Sequence, residues 1–139
     1  MTYNQFVNRP ISMYRRIMHQ RETVLRLENI CMNTTMEITE RVQSSRSNSQ
    51  ERKYVAYSDA KKRLAYMVEE YENACETVRD FLYSSLDESD ADILEWKYID
   101  NKSVSEIAEK RNLKPQTVKN IMGKADREAR KKYKIDFGL

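Results

Sequence analysis

Two glycines and two prolines are all that this 139-residue chain holds, and other scarcities accompany them. With Glu, Lys, Arg, Met and Ala frequent, the lack of Gly and Pro favours an all-helical chain. The single histidine, His19, cannot hold a metal unaided. The two cysteines, Cys31 and Cys75, form no Cys-x-x-Cys, which excludes a zinc finger and leaves both as small apolar packing residues. No apolar run approaches the length that spans a bilayer, and Met1-Thr-Tyr-Asn-Gln-Phe6 lacks the apolar core of a secretion signal. The expectation is a soluble cytoplasmic protein, reduced and not membrane-bound. Nor is there a Gly-rich phosphate loop, a Gly-x-Ser-x-Gly elbow or a His-Glu-x-x-His motif. Nothing points to an enzyme, a cofactor or a metal.

What is present is helical periodicity. Thr2 and Gln5 suit the cap of a short helical turn over 3–8, after which Pro10 starts a long helix to about Gln43. Its seam runs through Ile17, Val24, Cys31 and Ile38, seven apart, with Gln20 and Thr34 as polar interruptions. The stretch Ser44-Ser-Arg-Ser-Asn-Ser-Gln50 contains no apolar residue and reads as a solvated reversing loop. A second long helix is expected from about Glu51 to Ser84. It has heptad lines Tyr57, Leu64, Tyr71, Val78 and Ala60, Met67, Ala74, Phe81. Two such helices joined by a short reversal make an antiparallel hairpin. In that register Cys31 lies opposite the region of Tyr66, roughly 13 Å along the axis from Cys75, too far for a disulfide. The hairpin's remaining apolar face is expected to pack on the C-terminal part or on a second copy, giving a homodimer or higher homo-oligomer. The division expected is a hairpin over 1–85 and a second domain over 86–139.

The second domain opens with Leu86-Asp-Glu-Ser-Asp-Ala-Asp-Ile-Leu-Glu-Trp-Lys-Tyr-Ile-Asp100, a helix capped by Asp87, with Ile93, Leu94, Trp96, Tyr98 and Ile99 for its core. Asp87, Glu88, Asp90 and Asp92 lack the spacing of a calcium loop and suit capping and solvation. Then Ser103 and Glu106 form a capping box, and Val104, Ile107 and Ala108 make one buried stripe. Asn112 tolerates the positive φ that a tight turn needs, Leu113 is expected to tuck beneath the turn, and Pro115 suits the first turn of a second helix. Val118, Ile121 and Ala125 anchor that helix, and Gly123 is expected to loosen one turn. Helix, turn and polar second helix form a helix-turn-helix, a design whose second helix enters the DNA major groove.

Charge agrees with this. From Lys102 onward there are 11 Lys and Arg against 5 Asp and Glu, a net of +6, whereas residues 86–101 carry a net of −5. Positive charge therefore gathers in and after the second helix, where phosphates would need it. Candidate DNA-binding residues are Pro115, Gln116, Thr117, Lys119, Asn120, Lys124, Arg127, Arg130 and Lys131. Gln116 and Asn120 suit the adenine edge, Thr117 a thymine methyl, and the cations guanine or phosphate.

Residues 86–133 resemble region 4 of bacterial sigma factors, carried by Leu86 to Lys110 and by Leu113-Lys-Pro-Gln-Thr-Val-Lys-Asn-Ile121. The latter stretch is also similar to LuxR-type response-regulator domains. The whole layout resembles small phage regulators of the ArpU and RinA kind, with Arg41-Val-Gln-Ser-Ser45 as a further echo. The resemblance implies double-stranded DNA as partner, RNA polymerase as a second candidate, and late-gene transcriptional regulation as the role. It places the DNA-facing positions on Pro115, Gln116, Thr117, Lys119, Asn120 and Lys124. Two departures stand out: Lys114 and Pro115 replace the frequent Ser or Thr cap and following Arg, and Asn112 replaces Gly at the turn. The other sigma regions are absent, so no promoter melting is implied. Two rival roles stand beside it: a DNA-packaging protein like small terminase subunits, in which the DNA-binding part usually precedes the oligomerisation helices, the reverse of the order here, and a protein-interaction module that binds polymerase or a host factor.

Overall fold

The computed structural model of the protein describes the backbone of residues 1–38 and 44–137 and the side chains of residues 1–33 and 48–137. The chain is all-α: α1 (Tyr3–Ile38), α2 (Ser44–Ser85), α3 (Glu88–Tyr98), α4 (Val104–Arg111) and α5 (Pro115–Asp136), with no strand among the described residues. The side chains of Thr34 and Ile38, and positions 41–43 of the Arg41–Ser45 echo, lie outside the described residues.

Three boundaries differ from the sequence expectation. Pro10 does not restart a helix but sits inside α1. It cannot donate to the Phe6 carbonyl, a defect costing about 3 kcal/mol. Tyr3, Phe6, Val7 and Pro10 are all buried. Burial of large apolar side chains stabilises by roughly 1.5–3 kcal/mol each, enough to offset the lost bond. The start of α1 is capped as expected, since Thr2 N–H donates to Gln5 Oε1 (2.9 Å) and Gln5 N–H to Thr2 Oγ1 (3.2 Å). Ser44–Gln50 is not a loop, because α2 begins at Ser44. The segment lacks Gly and Pro, and Ser, Asn, Arg and Gln each cost only about half a kcal/mol or less relative to Ala in a helix. Absence of apolar residues predicts exposure, not irregularity. Finally, α5 runs through Gly123 without a break.

The chain divides into two compact units, Met13–Glu70 and Met1–Ser12 with Tyr71–Leu139, so the expected border at residue 85 falls inside the second. In the first, buried Gln20 donates Nε2 to the Ala60 carbonyl at 3.1 Å. These residues lie roughly 27 Å and 24 Å from the ends of α1 and α2 that the connection joins, so side-by-side helices must run antiparallel. Both expected heptad lines of α2, Tyr57 to Val78 and Ala60 to Phe81, are buried or half-buried along their whole length. Neither cysteine is in a disulfide, and both are buried.

The other unit carries the main core. Val78, Phe81, Leu82 and Leu86 from α2 and its end meet Ala91, Ile93, Leu94 and Tyr98 of α3, Ile107 and Ala108 of α4, and Val118, Met122, Ala125, Ala129 and Tyr133 of α5. Tyr3, Phe6 and Val7 from the start of α1 complete it. The core of this unit is thus shared between α3 to α5 and the adjoining ends of α1 and α2. Phe6 lies at its aromatic centre, with ring centroids 5.4 Å from Phe81, 5.2 Å from Tyr133 and 5.7 Å from Phe137.

Phe6→Ala should therefore destabilise the unit that contains the far end of the chain, by about 3–5 kcal/mol. The single tryptophan, Trp96, packs at the edge of that core and reports its unfolding in a denaturant titration. An unchanged Trp96 transition would show that residues 1–12 are not part of this core.

Candidate nucleic-acid interface

The turn between α4 and α5 is built by local chemistry. Ser103 caps α4, with Glu106 N–H donating to Ser103 Oγ at 3.2 Å. Asn112 ends it in the left-handed region, φ 54° and ψ 43°. The following Leu113 N–H closes back on the Ala108 carbonyl at 2.9 Å. These bonds satisfy orphan groups at both ends of an eight-residue helix. A second asparagine with positive φ, Asn101 at 52°, lies in the connection between α3 and α4 and was not anticipated from sequence, although Asn is a residue that such a position tolerates. Leu113 does not tuck under the turn but is 38% exposed beside the start of α5. Met122, not singled out from sequence, is buried on α5.

Pro115 occupies the first turn of α5, and Val118, Met122, Ala125, Ala129 and Tyr133 form its buried line. Ile121 is only partly buried at the edge. All nine expected site residues, Pro115, Gln116, Thr117, Lys119, Asn120, Lys124, Arg127, Arg130 and Lys131, are exposed. At about 100° per residue, Gln116, Asn120, Lys124, Arg127, Lys131 and Lys134 fall within roughly 80° of one another, opposite the buried line. No acid lies in that sector: Asp126, Glu128 and Asp136 project toward the flanks or the core side. Over the first turns the two amides lie in the middle, Lys119 on one flank, and Thr117 and Lys124 on the other. Gln116 Nε2 donates to Asn120 Oδ1 at 3.2 Å, a bond that leaves Gln116 Oε1 to accept and Asn120 Nδ2 to donate elsewhere.

Arg130 is differently placed. Its guanidinium donates to Asn4 Oδ1 at 3.3 Å and lies over the Tyr3 ring, 5.5 Å from the centroid. It braces α5 against the start of α1.

Two groups that position the site were not read from sequence. Asp126, on the core side of α5, accepts from Tyr3 Oη (2.9 Å), Tyr98 Oη (2.8 Å) and Lys97 Nζ (3.3 Å). An acid next to Ala125, at the edge of the buried line, was the available signal. Asp92 is not merely solvated. It accepts from Arg111 at 2.8 Å and from the Tyr83 hydroxyl, tying the end of α4 to α3. Glu95 likewise takes Arg79 at 2.8 Å. Asp87 stands at the α3 N-cap but makes no side-chain cap bond.

Comparison with protein-family models, with curated proteins and with solved structures returned no match. The function therefore has to be argued from the geometry and the sequence. Among the described residues no helix is long and apolar enough to cross a membrane, and no three His, Cys, Asp or Glu groups gather as a metal site.

Burial raises the Tyr3 and Tyr98 hydroxyls above the ordinary tyrosine value of 10.0, and the negative Asp126 beside them raises them further. Above pH about 10 the unfolded chain releases these protons while the folded chain keeps them. The stabilisation is thus intact below that pH and declines as pH rises through and beyond it. Unfolding free energies measured across this range should fall steeply in the wild type and less steeply in Y3F/Y98F. Equal slopes would show that the Asp126 junction does not hold these protons.

Proposed function

We propose that the protein is a sequence-specific DNA-binding transcriptional regulator of the phage kind that its sequence resembles, with α5 as recognition helix. One observation carries this reading: the acid-free outer sector of α5, amides in the middle and lysines on both flanks, standing behind a capped left-handed turn. A solvated surface helix usually mixes both signs of charge. A helix lying in the major groove needs hydrogen-bonding amides toward the base edges and cations toward the phosphates on either wall. Gln116 and Asn120 take the first role. Lys119 and Lys124 take the second, with Arg127 and Lys131 extending the grip along the backbone. The unit over 13–70 takes no part in contacting bases.

The two roles separate experimentally. Binding to duplex fragments of the genome that encodes the protein, measured across a salt series, should single out one fragment. Lys119→Ala and Lys124→Ala should each weaken binding to every duplex and lower the salt slope by about one. Asn120→Ala should cost about 1–3 kcal/mol on the preferred fragment with the slope unchanged. If no fragment is preferred and the lysine variants bind as the wild type does, α5 is not a recognition helix, and a protein-docking role takes precedence.

A further inference from the structure

Between Met13 and Met32, α1 carries two apolar lines. The first, Ile17, Gln20, Val24 and Cys31, is buried or half-buried within its own unit. The second is not covered: Met18, Leu25 and Met32, seven residues apart, are 40, 59 and 60% exposed. A single exposed Leu is ordinary, but a row of large apolar side chains at heptad spacing is the seam of a helix pair. Arg21 and Glu28 fall between them in the same strip, which is roughly 80° wide and roughly 27 Å long from Tyr14 to Met32.

The two charges specify the occupant and its direction. No ion pair among the described residues uses Arg21 or Glu28. Pairing with a parallel copy of α1 would set Arg21 against Arg21 and Glu28 against Glu28. An antiparallel copy centred near Leu25 sets Arg21 beside Glu28 on both sides of the two-fold axis and Met18 beside Met32. We propose that the protein forms a homodimer through this strip, α1 against α1 of a second copy, antiparallel. The dimer does not depend on the DNA reading, and its test contains no DNA.

Sedimentation equilibrium at micromolar concentration decides it, with circular dichroism to confirm that each variant keeps its helices. The wild type should be a dimer, and L25E should weaken association about thirtyfold or more, as the loss of an interface hot spot does. R21E and E28R should each weaken it several-fold, and R21E/E28R should restore it, because the exchanged charges meet again only across an antiparallel seam. A monomeric wild type, a dimer indifferent to L25E, or a double variant no better than the singles would overturn the proposal.

Discussion

Three donors from two distant parts of the chain converge on one carboxylate. Tyr3 of α1, and Lys97 and Tyr98 of α3, all bond Asp126 on α5. A carboxylate shielded on the core side of a helix needs such partners, because an unpaired one would cost several kcal/mol. With them it fixes how α5 is rolled about its own axis. That roll matters, because one residue corresponds to about 100° and a modest rotation would turn the amides from the outer sector toward a flank. Packing of Val118, Met122, Ala125 and Ala129 holds the helix down, but smooth apolar contacts permit sliding that a directed hydrogen-bond cluster does not.

For the same reason the segment from α3 to α5 draws part of its core from distant sequence. Helices of eight and eleven residues such as α4 and α3 cannot stand alone in water. They are held on a platform formed by the last turns of α2 and the first turns of α1, where the buried rings of Phe6 and Phe81 meet Tyr133 of α5 and the half-exposed Phe137 stacks on Tyr133. The Arg111–Asp92 pair and the Lys110 and Arg111 cations over Trp96 add smaller, partly screened contributions that orient α4.

Much of this was legible in the amino-acid sequence. Heptad lines, the Ser103 cap, the Asn112 turn and Pro115 at the start of α5 rest on local chemistry that short windows reveal. At Ser44–Gln50 local helix propensity prevails over the lack of apolar residues, whereas elsewhere packing outweighs a local preference. Pro10 would end a helix on its own, and burial of Phe6 and Val7 carries the helix through it. Gly123 would loosen a helix on its own, and the buried residues Met122 and Ala125 on either side hold it. Leu113 looked like core because it is apolar, yet it is exposed, while Met122 on α5 is buried. Asp126 and Arg130 went unread as structural residues because their partners, Tyr3 and Asn4, lie more than 120 residues away. Which α5 side chains face outward was legible throughout, because a buried line at helical spacing determines its opposite face.

The central claim is that the outer sector of α5 reads DNA. Amide chemical shifts of the full-length protein, followed while its preferred duplex is added, test it most directly. Shifts concentrated at Gln116, Thr117, Lys119, Asn120 and Lys124, with the α3 core and residues 13–70 of the hairpin little changed, are the predicted result. Shifts that spare α5, or that gather on the hairpin instead, would contradict it.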